Sequence, residues 1–180
     1  MTEESTVRLS KERGEDFTLT LMNYAAERFL YRLSQSRLRE QFVLKGAMLF
    51  AVRIGERYRP TRDLDLLGMG EASEVAIHAA VREIAATAVD DDGLVFDVDT
   101  PEVHAIREDD RFGGIRAIMR AHLAEVLRSR LSIHIDRDCA TSPIGAGARA
   151  GMVEQCSILS IDAEHSRFPS IAIGVTRMPP

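Results

Sequence analysis

The stretch RPTRDLDLLG, residues 59–68, places Asp63 and Asp65 two positions apart where an apolar pattern begins. Residues 62–67 are predicted to form a strand, and side chains two apart on a strand point to the same face. The two carboxylates would therefore lie side by side, where their charges repel each other unless a cation neutralises them. Such a pair suits Mg²⁺, which binds one or two carboxylates and completes its shell with water and substrate phosphates.

Groups that could bind an anion lie on both sides of this stretch. Lys45 and Gly46 supply an ammonium group and a backbone without a side chain at the predicted start of a helix, where free amides favour anions. Thr61 and Arg62 add a hydroxyl and a guanidinium beside the aspartates. Asp136, at the end of the segment LSIHID, is a candidate third carboxylate that would complete a two-metal site for in-line phosphoryl or nucleotidyl displacement.

A structural interpretation of the same residues stays open. An Asp-x-Asp pair on an exposed strand is an ordinary surface pattern, and a Lys-Gly pair is common in any protein. Residues 90–92, three aspartates, are expected to form a solvated turn rather than a ligand set. The five histidines lack the spacing of zinc ligands, and His134 is expected at the surface, opposite Ile133 and Ile135.

The composition is typical of a folded globular domain. The chain has 180 residues, of which 45% are hydrophobic and 28% charged, and contains no apolar run near the roughly 18 residues of a membrane helix. Its beginning lacks the pattern of a signal peptide, and Cys139 and Cys156 have no metal-ligand spacing. We therefore expect a cytoplasmic protein without a membrane partner. Residues 61–104 carry 11 acidic and 2 basic side chains, which could attract divalent cations or repel nucleic acid.

The periodicity of apolar residues predicts an α+β fold with a mixed sheet and N-terminal helices. In the first helix, Arg28 and Arg32 are expected to lie away from the apolar face. Ser73 is expected to cap a later helix. The predicted helices cover residues 16–33, 46–55 and 73–88, and the predicted strands cover residues 62–67, 94–99 and 130–136, the last within the alternating segment 127–136. Residues 113–123 are predicted to form a strand, with a helix as the alternative because they are rich in alanine. Residues 42–46 are predicted to form a strand end or a turn, which the second helix follows. After that helix we expect a loop that is closed by Gly55 and Pro60.

The C-terminal part of the chain has a different character. Residues 137–180 contain scattered Gly, Ala and Pro without a sustained period, so irregular structure with short elements at most is expected there. The chain is thus divided into a domain at 1–136 and an atypical tail at 137–180.

Several motifs together resemble the AbiEii/AbiGii toxin family of nucleotidyltransferases. The segment FVLKGAMLF…GERYRPTRDLDLLG resembles the family's Lys-Gly-(Gly/Ala) segment, short helix and Arg-x-(Ser/Thr)-x-Asp-(Leu/Ile)-Asp-Leu motif. The upstream helix and the segments DDGLVFDVDT, IREDDRFGGIRAIMRAHL and LSIHID are similar to family segments in the same order. The resemblance extends over residues 8–136.

The resemblance implies a polymerase-β-like nucleotidyltransferase fold and a toxin of a toxin–antitoxin system. Such a toxin would use Mg²⁺ to transfer NMP from an NTP to an RNA acceptor, tRNA in relatives, and would be neutralised by a cognate antitoxin protein. The implied roles are catalysis and metal binding for Asp63, Asp65 and Asp136, and nucleotide binding for Lys45, Gly46, Thr61 and Arg62.

Residues 137–180 do not resemble the second, helical half of the family, which follows the third acid with Ala-Glu-Lys and Lys-Asp-x-x-Asp-Leu segments. A truncation or a change of reading frame would produce such a tail. We therefore expect weak or no transfer by this chain alone, with the nucleotide pocket partly retained. Two alternatives are a catalytically degenerate remnant that still binds NTP or antitoxin, and a non-enzymatic α+β binding domain.

Overall fold

The computed structural model describes residues 8, 10–12, 14, 16–49, 61–70, 73–106, 114–123, 127–137, 158–162 and 172–176. The two long helices in these ranges are α1 (Phe17–Gln35) and α2 (Glu74–Ala85). The strands are β1 (Phe42–Lys45), β2 (Asp63–Gly68), β3 (Leu94–Phe96), β4 (Glu102–Ala105), β5 (Ile115–Leu123), β6 (Leu127–Arg137), β7 (Ile158–Asp162) and β8 (Ala172–Thr176). A 3-10 turn spans Arg39–Gln41, and residues 46–49 are helical.

Side-chain caps determine where the two helices begin. Asp16 accepts a hydrogen bond from the Leu19 amide at the start of α1, and Ser73 accepts one from the Ala76 amide at the start of α2. Each cap satisfies an amide that has no partner inside the helix. The predicted cap at Ser73 is thus confirmed, although α2 ends at Ala85, three residues before the predicted boundary.

The main sheet is mixed, with strand order β1-β2-β6-β5-β3 and with β4 paired to β5. Strands β2 and β6 are parallel, and the other pairs in this sheet are antiparallel. The predicted α+β class with a mixed sheet is therefore confirmed. β4 was not predicted, since the four residues of Glu102–Ala105 are too few to establish a period, and β3 ends at Phe96 instead of the predicted residue 99.

The sheet buries one face against α1 and α2. Along β5 the odd-numbered residues from Ile115 to Leu123 are buried, whereas Arg116 and Arg120 are exposed. Apolar side chains of α1 and α2 belong to the same core cluster, and Phe29 packs edge-to-face on Phe96. The opposite side of the sheet, here called the polar face, carries Lys45, Asp63, Asp65, Arg116, Arg120, Arg128, Arg130, His134 and Asp136.

A buried charge cluster attaches α1 to the turn before β3, and it corrects two predictions. Arg28 is only 2% exposed and Arg32 6%, so these residues do not lie on the outer side of the helix. Both donate to Asp92, which is 7% exposed and therefore not part of a solvated turn. Tyr24 also donates its hydroxyl hydrogen to the Asp92 carbonyl. Sequence periodicity missed the cluster because it assigns charged side chains to the solvent.

The late chain contributes an antiparallel pair, β7 and β8, which agrees with the expectation of short elements. The rest of 138–180, the predicted helix beyond residue 49 and the predicted loop with Gly55 and Pro60 lie outside the described residues. No helix within the described ranges is long and apolar enough to cross a membrane.

Candidate functional site

The register of three strands brings most of the predicted site residues onto one face. Lys45 on β1 pairs with Asp65 on β2, which in turn pairs with His134 on β6. Asp136 lies two positions after His134 and therefore on the same face. Asp63 lies two positions before Asp65, so it also shares this face, and its side chain is exposed. The register thus places all three aspartates on the same side of the sheet, and their convergence on a shared metal ion stays a prediction.

Lys45 and Asp136 form an ion pair across the polar face, between Lys45 Nζ and Asp136 Oδ2. Both side chains are about one-third exposed, at 34% and 33%. Because β2 separates β1 from β6, the pair spans the strand that carries Asp65. The lysine thus neutralises part of the negative charge of the site.

His134 lies between two of the predicted acids. Its Nδ1 atom is 3.7 Å from Asp65 Oδ1, and its Nε2 atom is 3.7 Å from Asp136 Oδ1. These distances exceed those of hydrogen bonds, but they allow ion pairing when the imidazole is protonated. His134 does project opposite Ile133 and Ile135, yet it is half-buried beside two of the site acids and is not the plain surface residue that was predicted. Its position two residues before Asp136 on a strand was the signal.

Gly46 has a backbone conformation and a location that exclude other residues. Its φ is +69°, in the left-handed region that favours glycine. A Cβ atom added at this position would overlap the Asp65 carboxylate, with Oδ2 as the nearest atom. The glycine therefore lets the chain pass directly against Asp65.

Burial is the main influence on the Asp65 carboxyl, and the net effect is a raised pKa. The positive charge of Lys45 and the neighbouring His134 act in the opposite direction, while Asp63 adds to the increase. The residues around Asp65 therefore compensate its charge only in part. A bound cation would supply the missing compensation.

Thr61 and Arg62 lie at the entrance to β2. The Thr61 hydroxyl donates to the backbone carbonyl of Asp63, at 3.0 Å, which holds the start of the strand. Arg62 is exposed beside it. Their predicted contact with a nucleotide stays a prediction.

The donor chemistry of the aspartate pair suits Mg²⁺. Asp63 and Asp65 offer carboxylate oxygens on one face, and Mg²⁺ needs no more than one or two carboxylates when substrate phosphates complete its shell. Among the described residues, no group of three or more His, Cys, Asp or Glu side chains could hold a metal ion. Asp136 is paired with Lys45 instead, so its predicted role as third metal ligand stays a prediction.

A separate shallow cleft of about 420 Å³ lies between α1 and the segment after α2. None of the predicted site residues lines it. Its lining residues are Tyr31, Gln35, Ala88, Val89 and Asp90.

A comparison with curated proteins finds no match. A protein-family model described as "Nucleotidyl transferase AbiEii toxin, Type IV TA system" matches residues 28–164, well over half of the chain. The matched range contains every predicted site residue. It begins within α1 and continues past Asp136, where the resemblance was expected to end. The description names a nucleotidyltransferase and a toxin–antitoxin system, which implies an antitoxin as counterpart. The chain therefore belongs to the AbiEii nucleotidyl transferase toxin family.

Proposed function

We propose that this chain is a Mg²⁺-dependent nucleotidyltransferase that transfers NMP from an NTP to an RNA acceptor, tRNA, in the cytoplasm. It would act as the toxin of a toxin–antitoxin system and be counteracted by a cognate antitoxin protein. The single observation that carries the proposal is the placement of Asp63, Asp65 and Lys45 on one sheet face with Gly46 packed against Asp65. A mixed sheet covered by helices on its other face is consistent with a polymerase-β-like fold.

Each residue of the site has a role that its chemistry allows. Asp63 and Asp65 would hold the Mg²⁺ ion, which when bound offsets the negative charge of the triphosphate and of the transition state. Lys45 would supply a point charge to the phosphates. Gly46 would leave its backbone open to a close approach, and Thr61 and Arg62 would bind the nucleotide from the strand entrance.

The ion pair between Lys45 and Asp136 favours a second candidate function, which is nucleotide binding without transfer. In the observed arrangement this pair engages both the lysine and the third carboxylate. Transfer requires that Lys45 become available to the triphosphate and that Asp136 become available to the reaction. If that exchange does not occur, the chain would bind NTP and Mg²⁺ but release the nucleotide unchanged.

Transfer of radiolabel from each of the four NTPs to total tRNA tests the proposal. We expect weak labelling of RNA by the parent chain, in line with the missing second half of the family, and a further loss of at least about 100-fold with Asp63→Asn or Asp65→Asn, because each removes a preorganised charge. Asp99→Asn, a change at an exposed aspartate away from the site, is the control. Metal-dependent NTP binding without labelled RNA would support the second candidate. Equal labelling by the parent and both site variants would contradict the proposal.

A further inference from the structure

Four arginines occupy the polar face of β5 and β6. Arg116 and Arg120 lie on β5, Arg128 and Arg130 lie on β6, and all four are exposed. The register places them on the same face as His134, since Arg116 is directly opposite that residue. This group of four is called the arginine face below.

The arginine face contains a pair of like charges that lowers the stability of the sheet. Arg120 lies directly opposite Arg130. Like charges directly opposite on neighbouring strands are destabilising. The core beneath is built from side chains on the other face of these strands, such as Met119 and Leu131, so packing of the core does not require arginine at these positions.

Acidic residues offset only part of this charge. Glu102 on β4 contacts Arg120 at 3.2 Å and Arg130 at 3.4 Å. Asp97 is a second acid near Arg120: the Thr100 hydroxyl is the main cause of its lowered pKa, and the charge of Arg120 contributes. Among the described residues no ion pair reaches Arg116 or Arg128. Counted over the described residues, the arginine face thus retains a surplus of positive charge, although the whole chain has a net charge of −5.

The arginine face lies next to the carboxylates of the proposed site, on the same face of the sheet. Arg130 and His134 are four residues apart on one continuous strand, a separation of about 14 Å. The cross-strand row that contains Arg116 continues through His134 and Asp65 to Lys45. A ligand lying along β5 and β6 would therefore have one end at the aspartate pair.

The chemistry of this surface fits a phosphate backbone better than a protein. Arg128 and Arg130 repeat a positive charge about every 7 Å along the strand, which suits a polymer with regularly repeated anions. Protein interfaces instead depend on apolar and aromatic anchors at their centre. On the described residues of β3, β5 and β6, the larger apolar side chains of the polar face are half-buried Ile118 and exposed Val95, while Val43 and Leu67 share this face on β1 and β2.

We propose that the arginine face binds the phosphodiester backbone of the acceptor RNA and directs its end toward Asp63 and Asp65. This inference rests on the proposed function, because it assigns the acceptor side of the same site. The guanidinium groups would contact phosphates and carry no sequence information, so they would position the RNA rather than select it.

The inference can be tested apart from catalysis by measuring how the full chain binds a short, fluorescein-labelled single-stranded RNA. Fluorescence anisotropy reports the binding, in the presence of EDTA and without NTP. If all four arginines release counterions, affinity should fall about 50-fold between about 50 and about 200 mM salt. In the double variant Arg128→Gln/Arg130→Gln, the affinity for RNA should fall only about 7-fold over the same range of salt concentration. Arg128→Lys/Arg130→Lys should restore most of the salt dependence, and Arg37→Gln, which removes an exposed cation paired with Glu83 on α2, should match the parent.

The outcomes separate the inference from the proposed function. RNA binding that depends on the arginine face, without any nucleotide transfer, would uphold the inference and contradict the proposed activity. Unchanged affinity and salt dependence in Arg128→Gln/Arg130→Gln would overturn the inference. It would also be overturned if polyglutamate displaced the RNA as well as unlabelled RNA does, since the surface would then accept an acidic polypeptide equally.

Discussion

Lys45 on β1 and Asp136 on β6 form an ion pair that crosses the intervening strand β2. The contact joins two residues 91 positions apart in the chain, at the centre of the proposed site. It gives Lys45 a structural role in the state without nucleotide, besides its proposed role at the triphosphate. The two roles can be separated by measuring stability and nucleotide binding on the same variants.

We expect Lys45→Met to lower both the free energy of unfolding and the affinity for NTP, because Asp65 and Asp136 lose their shared cation. Lys45→Met/Asp136→Asn should recover much of the stability but not the affinity. Residues in direct contact show coupling free energies of about 0.5–3 kcal/mol. Urea denaturation of both single variants and the double variant measures this coupling. Strictly additive changes would show that the pair does not stabilise the fold.

Gly46→Ala should damage the site by displacing Asp65. The substitution forces a residue with Cβ into the left-handed region, at a cost of about 1–2 kcal/mol, and adds an overlap with the Asp65 carboxylate. Gly14→Ala is a matched control, since Gly14 has a similar φ of +61° and no atom within 4 Å of an added Cβ. We expect both variants to lose stability, but only Gly46→Ala to lose metal-dependent NTP binding. Equal NTP binding by the two would show that Asp65 tolerates the displacement.

Asp65→Asn should raise the stability of the metal-free chain near neutral pH. Burial raises the folded-state pKa of Asp65, so the folded chain binds more protons than the unfolded chain as the pH rises above about 4. Stability is therefore lost as the pH rises through this window, and the asparagine variant avoids the loss. Chemical denaturation in EDTA should show a gain that disappears below about pH 4. Asp99→Asn, at a largely exposed position, should show no such gain, and a loss of stability in Asp65→Asn at neutral pH would oppose this account.

Much of the fold followed from periodicity. The alternation in β5 and β6 and the helical spacing in α1 and α2 each indicated a buried face, and the structure has these elements. Short strands such as β4 could not be predicted in this way, because four residues, Glu102–Ala105, are too few to establish a period, and β4 is identified by its pairing with β5.

Only those relations between site residues that lie within one strand could be predicted from the sequence. Asp63 and Asp65 share a face because they are two apart on a strand, a relation within one element. The row that joins Lys45, Asp65 and His134 depends on strand order and register, which arise from long-range pairing. The local sequence places His134 two residues before Asp136, but it does not pair Lys45 with Asp136 or bring Asp65 beside His134.

Asp92 should be among the most important single residues for the stability of the described fold. It accepts hydrogen bonds from Arg28 and Arg32, both buried, and Arg28 Nη1 has no hydrogen-bond partner among the described residues. Removing the carboxylate leaves two buried cations without their counterion, which costs about 3–5 kcal/mol. We expect a loss of this size for Asp92→Asn. Asp91→Asn, at the exposed neighbouring position, should stay close to the parent.

The pH dependence of the stability lost in Asp92→Asn shows whether the loss comes from the charge of Asp92 or from its packing. Burial alone would raise the pKa of Asp92, but hydrogen bonds from Arg32, the Leu94 amide and Arg28 outweigh it, and the net pKa is lowered. A carboxylate with a lowered folded-state pKa stabilises the fold above its unfolded pKa of about 4, and this contribution is lost as the pH falls through the folded value. The stability difference between the parent and Asp92→Asn should therefore be largest above about pH 5 and narrow below about pH 4. A difference that stays constant down to the lowest pH at which the parent folds would mean that packing, rather than the ion pairs, accounts for the loss.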